Sequence, residues 1–436
     1  MKASEKKLVK CMVCGEVFDS ALEKCPVCGA GSDKLVPIEE KKASFKYDTN
    51  EVFLILGGGP AAYNAAKAIR ERNSTAGITI ITDERFLPYN RPMLTKSLIT
   101  DFSDNQFAIE QADWFIKNNI FIAYETKVVS IDTAKREVIC ENSAFRYNKL
   151  IYAIGARCFL PPVKGIDKPH AVTIRNLADV GKVKSLLPKT KNVVCIGGGV
   201  MGLEGAWDLT KGGFSVTLIE TSARLLHKQL DEQASAILLD LVEKAGVNVI
   251  TEASAVEITD SHVVLADGKR LPADLVILSA GMRPNIEIAE AAGLDVGGLV
   301  NTDLHMRTSD KLIYACGDCV AVNGARQSFW AQAVETGRVA GANAAGDADV
   351  VYSPLGAALY ISAFNTSIFA LGTNGTDPDK EFRVVDLETD NDQAYERYYF
   401  LNDRLAGVIL IGDTSRMVEL TDAYNRQLTF DEIMNL

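Results

Sequence analysis

The sequence predicts an α/β fold organised around two glycine-turn units of the Rossmann kind, and three observations carry that prediction. Two apolar runs, Val52–Leu56 and Asn192–Ile196, each end in three glycines and lead directly into a helical segment. Each unit is followed by a further apolar run that closes on an acidic residue, at Asp83 and at Glu220. A third strand-like run, within 308–318, ends in Gly317-Asp318. A strand, a tight turn and a helix start in that order present free backbone N–H groups at a helix N-terminus, where a pyrophosphate can sit.

Residues 52–66 (VFLILGGGPAAYNAA) form the first unit. Gly57, Gly59 and Ala62 are the small positions of a G-x-G-x-x-A pattern, and Pro60 suits a first helical turn because its missing N–H costs nothing there. The second unit repeats the logic with a full G-x-G-x-x-G: Gly197, Gly199 and Gly202, with Val200 and Met201 between them. One glycine turn between strand and helix is equally well explained by tight packing. Two in one chain favour two bound dinucleotides.

Charge and composition exclude several classes. A net charge of −11 over 436 residues leaves no basic excess for a nucleic acid or an anionic membrane. No apolar stretch approaches the roughly 20 residues of a membrane span, and the opening MKASEKKLVK has no apolar signal core. The expectation is a cytoplasmic protein with no nucleic-acid and no membrane partner. Four of the nine cysteines fall within the first 28 residues, which does not look like a disulfide framework in a chain of this size.

Those four are Cys11, Cys14, Cys25 and Cys28, in two C-x-x-C-G knuckles. Two thiolates per knuckle converge on one ion, and two knuckles make a tetrahedral site for iron or, alternatively, zinc. Fe(Cys)₄ passes single electrons, whereas Zn(Cys)₄ only holds a small domain together. The patterns CxVCGxVF and EKCPVCGA resemble the short rubredoxin-like domain of the rubrerythrins. The polar stretch 36–50 reads as a linker.

The acid after the second strand of a unit suits a ribose 2′-OH, which selects Asp83, with Glu84 beside it. Residues 86–97 (FLPYNRPMLTKS) then resemble the xPYxRPxLSK segment of the FAD-dependent pyridine-nucleotide reductases that serve rubredoxin and ferredoxins, enzymes of the glutathione-reductase-type fold. The resemblance implies that Arg91 and Lys96 lie against a flavin. Residues 150–163 (LIYAIGARCFLPPV) are similar to that family's crossing motif LIxATGxxPxxPP, with Ala156 as a candidate FAD contact. Residues 271–285 match the return to the FAD domain and place Gly281 among the NAD contacts.

By the same resemblance, Asp318 beside Gly317 bonds the ribityl chain, and the helix of 330–346 turns its first amides toward the flavin pyrimidine at Ala331, Gln332 and Ala333. Glu204, in GGGVMGLEGA, is implied to pair with Lys96. Glu220 should bond the ribose of NADH and repel the 2′-phosphate of NADPH, although Arg224 could pair with that phosphate. Cys316 and Cys319 flank Asp318 and read as packing rather than a redox pair, as do Cys140, Cys158 and Cys195.

Five segments follow: a rubredoxin-like Cys₄ domain (1–45), the FAD-binding domain in two parts (46–165 and 283–348), an NAD-binding domain (166–282) and a C-terminal interface domain (349–436), with a homodimer as a candidate assembly. Disulfide reductases of this fold carry C-x-x-x-x-C just after the first ribose acid, and the related oxidases a single cysteine. No cysteine lies between Asp83 and Lys127 here. The expectation is an NADH-dependent FAD enzyme whose electrons leave through the fused Cys₄ centre to an external protein or small acceptor. The alternatives are an NADH oxidase or carrier reductase with a structural zinc ribbon, and an NADH-sensing binding protein without turnover.

Overall fold

Two parallel five-stranded sheets of the same construction form the centre of the molecule. In this computed structural model, residues 8–11, 17–20, 25, 31–38, 43–101, 103–354, 356, 358–387 and 394–436 are described. The first sheet runs Ile313–Ala315, Lys149–Tyr152, Val52–Leu56, Gly77–Ile81, Ile120–Ala123. The second runs Ala171–Thr173, Leu275–Leu278, Asn192–Ile196, Ser215–Ile219, Asn248–Ile250. In both, the glycine-turn strand is central and almost fully buried, as expected of apolar runs covered on both faces. Each sheet also carries a three-stranded antiparallel meander, at Val128–Arg146 before the fourth strand of the first sheet in chain order and at Ala255–Pro272 before the fifth of the second.

The second unit is inserted into the first. The chain leaves along Ala156–Cys158 and returns along Met282–Pro284, and these two short strands pair antiparallel at the crossing. Ile313–Ala315 then completes the first sheet from its far edge.

Helix packing fixes the geometry of the first unit. Helix Pro60–Arg72 lies against helix Trp330–Ala344 with no side chain between their backbones. A Cβ on Gly337 would come within 2.3 Å of the Ala61 carbonyl oxygen, and one on Gly341 within 2.3 Å of that of Ala65. Both contacts advance four residues in the same direction, so the helices run parallel and their N-termini point to the same end of the sheet.

The C-terminal sheet is antiparallel, in the order Ala358–Ala363, Thr366–Gly372, Arg404–Ile411, Tyr395–Leu401, Arg383–Asp386, and is followed by helices Met417–Asn425 and Phe430–Met434. It is fastened to the second unit at Asp231, 6% exposed, whose carboxylate accepts from the hydroxyls of Tyr395 (2.9 Å) and Tyr399. Trp207 and Phe364 add a ring contact at 5.3 Å across the same junction.

At the N-terminus, Val17–Asp19, Leu8–Cys11 and Leu35–Ile38 make a small antiparallel sheet. This corrects the linker reading of 36–50: its first three residues are an edge strand. Pro37 is tolerated at the edge because it need not donate to a further strand, and with both central residues exposed no apolar alternation marks it. Among the described residues no helix is long and apolar enough to cross a membrane.

The two-glycine contact yields the first prediction. Gly341→Ala forces the helices apart and costs about 1–3 kcal/mol in urea unfolding. Gly181→Ala, in helix Leu177–Leu186 with nothing within 4 Å of the new methyl, gains about 0.4–1 kcal/mol. Equal effects at the two sites would show that the close crossing does not matter.

Candidate functional site

The two glycine turns are closed in the same way. Gly57 (φ 116°) donates its N–H to the Ile81 carbonyl at 2.7 Å, and Gly197 (φ 111°) donates to that of Ile219 at 2.8 Å. A Cβ on either would strike the carbonyl of the neighbouring strand's end, Ala153 or Ser279, at 2.3 Å, so only glycine closes the turn. Beyond each turn the helix begins with Gly59 or Gly199 as N-cap, and neither offers a side-chain cap to the N–H groups. A Cβ on Gly199 would meet nothing within 4 Å, and one on Gly59 only Arg91 Nε at 3.9 Å. Uncapped donors facing open space are what a pyrophosphate requires, so both turns fit a dinucleotide.

The small third positions differ in need. A Cβ on Gly202 would fall 2.0 Å from the Gly197 carbonyl oxygen, whereas Ala62 is accommodated fully buried. Val200 and Met201 start the second helix with their side chains partly buried against its apolar cluster. Gly281 (φ 108°) stands at the crossing with nothing within 4 Å of a Cβ.

Register then assigns the acids. Leu56 pairs with Ile81 and Ile196 with Ile219, so Glu220 and Thr82 occupy equivalent places, each directly after its strand. Glu220 accepts from the N–H groups of Gly198 and Ser222, both at 2.7 Å. In the first unit the Thr82 side chain approaches Gly58 instead, and Asp83, one residue on, is exposed. Glu84 is engaged elsewhere: its carboxylate accepts from Arg91 at 2.6 Å and from Tyr89 at 2.7 Å. Arg91 also donates to the Arg175 carbonyl at 2.7 Å, with its guanidinium 4.9 Å from the centre of the Tyr89 ring.

The structure brings Lys96 and Glu204 together. Lys96 Nζ is 2.8 Å from Glu204 Oε1, and Thr95 Oγ1 donates to Glu204 Oε2 at 2.6 Å. One helical turn on, Asp208 is 1% exposed and accepts from the Leu98 N–H at 2.8 Å. Two carboxylates four residues apart share one helix face, and together they grip the segment 95–99 across the boundary between the units. Thr95 and Asp208 were not singled out by the sequence reading, although the i, i+4 spacing of Glu204 and Asp208 was visible in it.

Asp318 pairs with Arg175 at 3.1 Å, and Arg175 also donates to the Ala156 carbonyl at 2.9 Å. Gly317 (φ 81°) donates to Thr336 Oγ1 at 3.1 Å. Gln332 folds back so that its Oε1 accepts from the Ser328 and Phe329 N–H groups at 2.9 and 3.1 Å, and Ala333 is buried in the first turn of the helix. Arg175 belongs to no motif, and its role as the link between Asp318 and Arg91 is visible only in the fold.

The other cysteines are thiols. Cys316 and Cys319 are wholly buried; burial pushes the Cys319 thiol up to about 12 and that of Cys316 well above the usual range. Cys140 and Cys195 are buried, but Cys158 is only half-buried, because it lies on the short two-stranded crossing rather than in a covered sheet. At the N-terminus, Cys11 of the small sheet and Cys25 outside its strands are 0% and 3% exposed and share one cluster. Cys14 and Cys28 lie outside the described residues.

Comparison with known proteins agrees with this geometry. The family model for pyridine nucleotide-disulphide oxidoreductases matches residues 52–344, more than half of the chain. The chain belongs to that family. Two further models flank the family match: the rubrerythrin rubredoxin-like domain over 10–35, and the rubredoxin NAD+ reductase C-terminal domain over 359–428. A rubredoxin-NAD(+) reductase of Pseudomonas putida is 33% identical over 273 residues, 61% of this chain and 71% of its own length. The assimilatory nitrate reductase electron transfer subunit of Bacillus subtilis is 29% identical over 383 residues, 86% of this chain; the chain spans only 49% of that relative. The crystal structure of NADH:rubredoxin oxidoreductase from Clostridium acetobutylicum superposes with a TM-score of 0.74 at 27% identity, covering 89% of this chain and 100% of that one. The family and the NADH:rubredoxin reductase type expected from the sequence are thus borne out, together with the α/β fold.

A pH prediction follows from Glu220. Partial burial raises its carboxyl, but the N–H groups of Ser222 and Gly198 lower it further, so it ionises below its usual 4.5. A group whose folded value is depressed contributes its stability above the unfolded value and loses it as pH falls through the folded one. Glu220→Gln is therefore less stable than the parent at pH 7, and the gap shrinks as pH falls below about 4.5. Urea unfolding at a series of pH values measures it; a gap that stays constant down to pH 3 would remove the carboxylate from the account.

Proposed function

We propose that the chain is an NADH-dependent FAD oxidoreductase of the rubredoxin-reductase type, with FAD at the first glycine turn, NADH at the second, and an iron-loaded Cys₄ centre at the N-terminus as the outlet to an external acceptor. The observation that carries this is the Lys96–Glu204 pair at 2.8 Å, which ties the segment beside the first turn to the first turns of the second unit's helix. FAD bound there would take a hydride from NADH and give up electrons one at a time.

The chain's own residues account for the rest. Glu204 is 7% exposed, and its carboxylate fixes the Lys96 ammonium in position. A preorganised positive charge there stabilises negative charge as it develops, without reorganisation at the moment of reaction. The N-terminus of helix Trp330–Ala344 carries partial positive charge of its own. Arg91, held by Glu84 and the Arg175 carbonyl, lies against the first glycine turn. In the second unit Glu220 is placed to accept a ribose hydroxyl and to repel a 2′-phosphate. Cys11 and Cys25, with Cys14 and Cys28 from the same knuckles, would hold the metal. Asp83 remains the ribose acid proposed for the first unit, and Asp318 the partner of the ribityl chain.

Cysteine content supports the direction of electron flow. The stretch between Asp83 and Lys127 has none, and the Cys316 and Cys319 thiols are buried and held neutral. Among the described residues, no thiolate is available beside the first turn to take electrons onward.

Anaerobic titration with NADH tests the proposal. With iron in the Cys₄ site the protein is red, and its metal–thiolate bands bleach together with those of the flavin. A flavin left oxidised by excess NADH would refute the enzyme. A yellow protein containing zinc would keep the flavoenzyme and remove the fused carrier. Glu220→Ala raises the KM for NADH about tenfold and narrows the preference over NADPH by a similar factor, since one charge-assisted hydrogen bond contributes roughly 1.5–3 kcal/mol. Unchanged discrimination between the two nucleotides would reassign the role of Glu220.

A further inference from the structure

The N-terminal sheet packs on particular side chains of the same chain. Val9, Cys11, Phe18 and Cys25 form one small apolar cluster, and the partly buried residues against it are Leu35 of its own sheet together with Trp330 and Tyr360. Trp330 is the first residue of the helix whose next three residues are the candidate flavin contacts. Tyr360 lies in the first strand of the C-terminal sheet. A third contact is electrostatic: Asp413, held below the usual carboxylate range first by Ser415, also feels the positive charge of Lys34. Lys34 itself is 6% exposed.

The tether gives an independent constraint. The chain is fastened to the first unit from Phe45 onward: the Phe45 ring lies 3.7 Å from where a Cβ on Gly346 would stand. The Tyr47 N–H donates to the Arg72 carbonyl at 2.9 Å, and Asp48 accepts from the Ser74 N–H at 2.6 Å. Between Ile38, the end of the N-terminal sheet, and Phe45 lie only residues 39–44. Even fully extended, that length spans no more than about 25 Å. A module held this closely meets its platform at an effective concentration on the order of millimolar or above.

We infer that the Cys₄ module docks in cis on a platform of Trp330 and Tyr360 at the mouth of the flavin site, so that electrons reach it within one chain and an external acceptor protein meets the module rather than the flavin. The electron path rests on the function proposed above; the docking does not.

The test separates the two. Full-length protein carrying a photoreactive benzoyl-phenylalanine in place of Tyr360 is mixed with an excess of ¹⁵N-labelled parent and irradiated. Docking in cis gives adducts between position 360 and unlabelled peptides from residues 8–38. Adducts to ¹⁵N-labelled module peptides, or none to the module at all, would overturn it. In stopped-flow reduction of the iron-loaded parent by NADH, the bleaching of the metal–thiolate bands follows that of the flavin with a rate constant independent of protein concentration. A rate that rises in proportion to concentration would overturn the intramolecular path. Tyr360→Ala slows this second phase about tenfold by lowering the docked population, while the flavin phase is unchanged. Cis adducts with metal–thiolate bands that never bleach would uphold the docking and refute the electron path.

Discussion

The contact that the site depends on is the close parallel crossing of helices Pro60–Arg72 and Trp330–Ala344. Gly337 and Gly341 leave no side chain between the two backbones at Ala61 and Ala65. Because the helices run parallel, both positive ends face the same end of the first sheet, one at the glycine turn and the other at Trp330. Each start carries partial positive charge, which an anionic ligand at that end of the sheet can answer. The small residues thus do more than pack: they set the distance between two sources of positive potential.

Much of this was legible in the sequence because the signals are local. A buried parallel strand reads as an uninterrupted apolar run, a glycine turn as three glycines, and a helix start as the alanines that follow. Both units and their second strands could therefore be placed from residue order alone, whereas the link back to the first sheet came from the resemblance of residues 271–285 to a family segment. The pairing of Lys96 with Glu204 came from a resemblance between segments, since nothing in the local pattern joins positions so far apart in sequence. The residues that escaped notice act only across such distances. Thr95 completes the Glu204 carboxylate, Asp208 anchors the backbone at Leu98, and Arg175 bridges Asp318 and Arg91. Each is an ordinary polar residue until the fold supplies its partner. The edge strand Leu35–Ile38 escaped for a different reason: an exposed strand containing proline carries no period.

The polar groups of the site hold one another in register. Glu84, Arg91, Tyr89 and the Arg175 carbonyl form one chain of hydrogen bonds, and Arg175 extends it to Asp318. Buried and half-buried ions need such partners, and here the partners come from both parts of the first unit and from the start of the second. The register of the candidate site is therefore a property of the assembled units rather than of either alone. Asp231 does the same at the far side, where Tyr395 and Tyr399 hold the C-terminal sheet against the second unit.

The insertion of one unit into the other also sets an order of events during synthesis. The strand Ile313–Ala315 that closes the first sheet leaves the ribosome only after the whole of the second unit has emerged. The second unit is continuous in sequence and can fold as it appears, whereas the first must wait with the edge of Lys149–Tyr152 unpaired. An exposed parallel edge is a site for wrong pairing. The short antiparallel crossing of Ala156–Cys158 with Met282–Pro284 brings the returning chain back beside that edge before its closing strand arrives, which shortens the search for the last native pairing in the nascent molecule.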